Sequence, residues 1–276
     1  MEVRASRQIA AAPERVRRAL TDPAELAVWS GAAAEVSDSV YRLRGESVPT
    51  GSLGGRLLEN GDRGFRFEWP LGGWVSVVEI VLDPVTGEGG SSDQLTREGR
   101  TVGSGTGVGH AGAGCTRVTV HHRGIPEDAL PARWPEQTWQ CVWVLWLRLL
   151  QGWVERAAAL PRFAFRPPFG AVVERSVEID APPERVWAAL VDPVLRDRWL
   201  GVALGPELRR EEGRLLVCVF AADQPATTVT WRIDPLPDGR TRVTVREEGL
   251  GWESIDNHLG WHDWLVALAL EMGRPA

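Results

Sequence analysis

The chain has 276 residues, of which 43% are apolar and 25% charged, with a net charge of −6. That length suits two ordinary domains of roughly 100–150 residues, and that balance excludes disorder as the state of the whole chain. All 31 basic residues are arginine, and neither half is basic: residues 1–160 hold 17 Arg against 19 acids, the remainder 14 against 18. This excludes a global electrostatic pull toward nucleic acid or an anionic membrane.

Cys115, Cys141 and Cys218 are odd in number and far apart. They read as free thiols of a reducing, cytoplasmic setting, not as a disulfide frame or a zinc knuckle. The N-terminus, Met1 to Arg7, has no apolar run behind it, so no signal peptide is expected. The most apolar stretch, Cys141–Leu150, contains Arg148 and falls far short of the roughly 20 residues that span a bilayer, so it is expected to be a buried helix.

In chain order, the first predicted helix opens at Pro13, where a missing N–H costs nothing, with Glu14 near the positive end of its dipole. Val16, Ala19 and Leu20 give it one apolar stripe. Asp22-Pro23 stops it and caps a second short helix carrying Leu26 and Trp29. Phe65, Phe67 and Trp69 then alternate with Arg66 and Glu68, a strand with its aromatics on one face, and Trp74–Leu82 reads as the next strand. Asn60-Gly61 and Asp238-Gly239 read as hairpin turns. Residues 87–114 hold ten glycines and are expected to form a mobile surface loop. A helix over about 135–160 carries Trp139, Trp143, Trp146, Leu150 and Trp153 at spacings of three and four.

The pattern then begins again. Ala11–Trp29 and Ala181–Trp199 align without a gap and share ten of nineteen residues, 170 positions apart. Leu82-Asp83-Pro84 parallels Ile233-Asp234-Pro235, and Thr116–Val120 is identical to Thr241–Val245. Trp143, Trp146, Leu147 and Leu150 match Trp261, Trp264, Leu265 and Leu268 on a closing helix expected over Leu259–Leu270. Four collinear matches point to duplication of one domain. The stretch from Trp29 to Asp83 encloses 53 residues and that from Trp199 to Asp234 only 34, so the second copy lacks about one hairpin. The expected division is a first domain over 1–160, a stiff linker over 161–170 whose Phe163, Phe165 and Phe169 pin the domains together, and a second, shorter domain over 171–276.

The order helix, short helix, antiparallel strands, long helix resembles the START-like, birch-pollen-allergen-like helix-grip superfamily. Within it, Ile179, Ala181, Pro183, Val186, Trp187, Ala189, Leu190, Asp192, Pro193 and Trp199 resemble the opening of the activator of Hsp90 ATPase homologue 1-like family. His258-x-Gly260-Trp261 is similar to that family's H-x-x-G-W signature with one residue fewer. The first copy departs from the pattern at Arg17 and Val142. The resemblance implies an α+β chain of two tandem helix-grip domains. Each would be a curved antiparallel sheet wrapped around a long C-terminal helix, with two short helices after the first strand. It also implies a cavity between sheet and helix, and members that bind apolar molecules, cyclise polyketides or regulate a chaperone.

No nucleophile elbow, P-loop, glycine fingerprint or HExxH motif is present, and no catalytic residue, metal ligand or cofactor site is expected. His258 and His262, with Asp256 and Asp263 nearby, lack a third convergent ligand and read as surface or cap residues. His121 and His122 point to opposite faces of a strand, and Glu68 faces solvent if Phe67 and Trp69 face inward. The candidate pocket wall is Phe65, Phe67, Trp69, Trp139, Trp143 and Trp146 in the first copy, with Trp231, Trp261 and Trp264 in the second. The expected function is non-enzymatic binding of an apolar small molecule, chiefly by the first domain. The alternatives are a cyclase or aromatase, which needs a polar pair in the pocket, and a chaperone-facing module. Neither nucleic acid nor membrane insertion is expected.

Overall fold

In both halves a strand feeds a proline-opened helix. The computed structural model describes residues 1–85, 95–97, 100–102, 114–130, 132, 134–166, 169–220, 226–251 and 255–273. It forms two compact units that meet in sequence at residues 167 and 168. In the first unit β1 (Glu2–Ile9) leads into α1 (Pro13–Thr21) and α2 (Pro23–Ser30). The strands β2 (Ala33–Val36), β3 (Val40–Arg44), β4 (Ser52–Gly61), β5 (Gly64–Leu71), β6 (Trp74–Val85) and β9 (Cys115–Arg123) follow, and α3 (Pro135–Arg156) closes the unit. These strands form one antiparallel sheet in the order β1-β9-β6-β5-β4-β3-β2.

The second unit repeats the plan with β10 (Val173–Ile179), α4 (Pro183–Val191), α5 (Pro193–Asp197), β11 (Glu207–Glu211), β12 (Leu215–Phe220), β13 (Thr227–Pro235), β14 (Thr241–Glu248) and α6 (Ile255–Met272). Its sheet runs β10-β14-β13-β12-β11. Its five strands correspond in order to five of the seven, and the missing hairpin is the counterpart of β2–β3. Each unit is thus a sheet, two short helices and a long closing helix, the helix-grip arrangement.

The duplication extends to single hydrogen bonds. Asp22 Oδ1 accepts from Ala24 N at 2.8 Å and Glu25 N at 3.2 Å; Asp192 Oδ1 accepts from Val194 N and Leu195 N at the same two distances. Each carboxylate takes two N–H groups that the helix start leaves unpaired. Trp29 Nε1 donates to the Ala19 carbonyl and Trp199 Nε1 to that of Ala189, fastening the second short helix under the first. Thr116 and Thr241 donate to the carbonyls of Ala11 and Ala181, both at 2.7 Å.

In the first unit the closing helix is also tied to the short ones: Trp153 Nε1 donates to Glu25 Oε2 at 2.7 Å, beside the Arg15 guanidinium. Burial works to raise the Glu25 pKa, but the bonds from Trp153 and Arg15 and the charges of Arg15 and Arg18 outweigh it and hold it below the usual value.

Three local readings are corrected. The β4–β5 turn is Asp62-Arg63, because Gly61 still pairs with Gly64 as the last rung of the ladder. The second closing helix begins at Ile255 and ends at Met272, longer than expected at both ends. His258 and His262 are buried, together with Asp256 and Asp263, and are not surface residues. Of the expected loop over 87–114 only 95–97, 100–102 and 114 are among the described residues; there β7 (Leu95–Arg97) and β8 (Arg100–Val102) pair as a short hairpin. In the linker, Phe163 belongs to the first unit and touches Phe165, while Phe169 belongs to the second and lies against His258. Among the described residues no helix is long and apolar enough to cross a membrane.

Candidate functional site

The concave face of the first sheet meets α3 through aromatic rings. Phe65, Phe67 and Trp69 alternate along β5 and are buried, as their spacing requires. Their intervening neighbour Glu68 turns outward and pairs with Arg56. Trp139, Trp143 and Trp146 project from α3 and are buried too. Trp139 and Trp143 stand edge-on to Trp69, with centroids 5.2 and 6.1 Å away, and Trp146 stands edge-on to Trp29 and Trp143. Such T-shaped contacts put ring edges against ring faces, the favourable quadrupole alignment. Tyr41 of β3 packs against Phe65 and Phe67 at 4.8 and 4.7 Å.

At the centre lies a residue that strand alternation separates from His121. His122 is fully buried and stacks on Trp69, with centroids 5.1 Å apart and planes 9° from parallel. Trp143 Nε1 donates to His122 Nδ1 at 3.2 Å, so Nδ1 carries no proton. Nε2 therefore carries it and donates to Ser76 Oγ at 2.8 Å, and Ser76 in turn donates to the Trp69 carbonyl at 2.9 Å. The chain runs one way, indole to imidazole to hydroxyl to main chain. Burial, helped by the charge of the N-terminus, pushes the imidazole pKa down to about 3. His122 is neutral with both nitrogens engaged.

The second unit builds the same centre from other residues. Val78 faces His122 across β6–β9, and Val229 faces Glu247 across β13–β14. Two residues earlier on the same strands stand Ser76, opposite Trp69, and Thr227, opposite Phe220. Thr227 Oγ1 donates to Glu247 Oε1 at 2.6 Å, while Trp261 Nε1 and Asn257 Nδ2 donate to Oε2 at 2.6 and 3.0 Å. Glu247, like His122, has no exposed surface. Around it, Trp231 is edge-on to Trp261 and Trp199, and Trp264 to Trp261 and Phe220. The structure thus gathers the three indoles expected in the second copy about a carboxyl that sequence reasoning missed. The identity of Thr116–Val120 with Thr241–Val245, carried two residues further, is the signal that finds both His122 and Glu247.

Among the described residues, four polar atoms inside these clusters have no hydrogen-bond partner: Tyr41 Oη, Trp139 Nε1, Trp146 Nε1 and Trp231 Nε1. Each is an N–H or O–H donor. Burial pushes the Tyr41 pKa upward, so its hydroxyl keeps the proton. On α6, His258 Nε2 donates to the Gly170 carbonyl at 3.2 Å, and burial plus the nearby Arg175 charge lower its pKa to about 4. Among the described residues no three His, Cys, Asp or Glu side chains gather as metal ligands would.

Residues 170–265 match the family described as polyketide cyclase / dehydrase and lipid transport. No curated protein matches the chain. Similar solved structures include DynU16, a putative protein in the dynemicin biosynthetic locus, with 16% identity over 98% of this chain and 95% of that one and a TM-score of 0.37. Protein MLL2253 from Mesorhizobium loti has 22% identity over 38% of this chain and 98% of that one, with a TM-score of 0.31. The Aha1 dimer from Colwellia psychrerythraea has 16% identity over 38% and 98%, with a TM-score of 0.32. The family match lies within the second unit, and the first unit repeats that unit's order of strands and helices, so the chain is a tandem of two helix-grip domains.

Proposed function

We propose that the chain binds an apolar small molecule between sheet and closing helix, chiefly in the first unit, without transforming it. In this reading residues 1–160 and 171–276 are the two modules and 161–170 join them. The observation that carries it is the set of unpartnered donors, Tyr41 Oη, Trp139 Nε1 and Trp146 Nε1, in an aromatic wall whose central polar groups, Trp143 Nε1, His122 and Ser76, are already paired. A buried donor left unpaired costs about 1–3 kcal/mol, a deficit that a ligand with acceptor oxygens offsets. Trp139 and Trp146 are seven residues apart on one helix face, roughly 10 Å along the axis. That spacing suits a ligand several rings long. His122 supports binding over chemistry, since its protonation state is held and neither nitrogen is available to a substrate.

Native mass spectrometry of the gently purified full chain tests this. A co-purifying small molecule, lost in Trp139→Phe or Trp146→Phe, is the expected result. A bare protein mass at every concentration, with no uptake of added apolar ligands, overturns it. A second reading, cyclase-type chemistry in the second unit, is favoured by the Thr227–Glu247 pair and by the family matched there. It supplies the polar pair that such an enzyme requires. Turnover of a poly-β-carbonyl thioester that disappears in Glu247→Gln would establish it.

A further inference from the structure

We infer that the segment leaving α3, residues 160–166, is a latch: it holds the β3–β4 loop in place beside the aromatic cluster of the first unit, and its release is the step that opens that cluster to a ligand. The inference rests on the apolar-ligand reading and adds the route by which the molecule enters. All six rings of the candidate wall are buried, so part of the surrounding chain has to move before anything reaches them. The strands are held by their ladders, and α3 by the bonds of Trp143 and Trp153. The loop over residues 45–51 is held differently. Gly45 N donates to the Gly51 carbonyl at 3.1 Å and closes the loop at its neck. Thr50 within it sits at φ +57°, a strained conformation for a β-branched residue. Just past its end, Trp69 Nε1 of the wall donates to the Ser52 carbonyl at 2.7 Å, and Val48 and Pro49 inside it are buried.

Near its start the loop is fastened by the segment after α3. Phe165 N donates to the Glu46 carbonyl at 2.7 Å, and the Arg166 guanidinium pairs with the Glu46 carboxylate. Arg162 donates to the carbonyl of Val28 in the last turn of α2, its stem lying where a Cβ on Gly31 would be. One short segment thus binds both the end of α2 and the loop. Its hold is of a kind that comes undone. Arg162, Ala164 and Arg166 are exposed, and Phe163 is the buried residue between them, in edge contact with Phe165 at 4.8 Å. The Arg166–Glu46 pair is exposed on both sides, where water competes for each charge and the attraction is weak. Local opening favours segments with few buried apolar groups and exposed polar bonds, and this segment has both properties. Among the described residues the second unit has no counterpart of β2–β3, and so none of the loop that such a latch would hold.

Hydrogen–deuterium exchange of the full chain, read by peptide mass spectrometry, and stopped-flow uptake of the apolar dye Nile red test this. Phe163→Ala should raise exchange in peptides covering residues 45–53 and 160–166 roughly tenfold, while peptides from β1 and β9 exchange as in the wild type. It should quicken dye uptake and dye loss by similar factors and leave the affinity nearly constant, as release of a gate does and damage to a binding wall does not. Glu46→Arg, at an exposed site that leaves the core untouched, should give the same changes on a smaller scale, and adding Arg166→Glu should reverse them. Unchanged exchange over residues 45–53 in both single variants, or faster exchange with dye rates as before, overturns the inference and leaves apolar binding standing. If neither the wild type nor any variant takes up dye, the apolar-ligand reading falls and the inference falls with it.

Discussion

His122 makes the first unit acid-sensitive in a way that one substitution should abolish. An imidazole in the unfolded chain titrates near 6.5, whereas in the folded unit it titrates at about 3. Above about pH 6.5 both states are neutral and the group costs nothing. As pH falls below that value the unfolded chain takes up a proton that the folded unit refuses, so stability declines until the folded imidazole titrates in turn. The full gap corresponds to on the order of 5 kcal/mol, of which roughly 3 should be lost by pH 4. His122→Gln is the appropriate perturbation, because an amide can still accept from Trp143 and donate to Ser76 while remaining uncharged. At pH 7.5 it should cost about 1–3 kcal/mol through lost stacking on Trp69 and imperfect bonds. At pH 4 that deficit should vanish or reverse. Urea unfolding of both proteins at the two pH values measures the difference, and contributions common to both, such as the lowered pKa of His258 and the carboxylates, cancel. A deficit independent of pH would refute the neutral, buried assignment of His122.

Other consequences are simpler to read. Asp22→Ala and Asp192→Ala should each cost about 1 kcal/mol in denaturant titrations, because each removes one acceptor from two helix-start N–H groups. Gly54→Ala should destabilise the first unit by several times that amount, seen as a lowered thermal midpoint. Its φ is +88°, and a Cβ there would overlap the Tyr41 carbonyl oxygen on the neighbouring strand. Burial raises the Cys218 thiol to about 11, so alkylation by iodoacetamide at pH 8, followed by peptide mapping, should modify Cys115 and Cys141 first and Cys218 only on unfolding.

Much of the frame was legible because it rests on local chemistry. Asp-Pro after an apolar stripe has few physical outcomes besides a stop and a new start, and both copies use it alike. The shortfall between Trp199 and Asp234 identified a missing hairpin, and β2–β3 is the pair without a counterpart. The polar centres were not legible in the same way. Strand alternation separated His121 from His122 correctly, but it concerns the two faces of one strand. The partners of His122 come from β6 and α3, 46 and 21 residues away in sequence. Glu247 shares the inward face of Val243 and Val245 by alternation, but its partners Thr227, Asn257 and Trp261 follow only once β14 is registered against β13 and α6 is laid over it. His258 was misplaced because α6 starts four residues before the expected position, and His262, already within the expected helix, because α6 is buried on most of its circumference and not on one stripe alone.

The truncated second sheet ends on β11, and that strand has the composition of a guarded border. Its five residues are Glu-Leu-Arg-Arg-Glu, with Arg209 paired to Glu211 and Arg210 to Glu207, and a register irregularity between Glu207 and Arg209 bends the strand. A terminal strand offers a row of free N–H and C=O groups to any passing chain, and bulky charges with a bulge make that offer unattractive. With no counterpart of β2–β3 beyond it, β11 is the last strand of its sheet, and its charged pairs and register irregularity disfavour pairing with another chain.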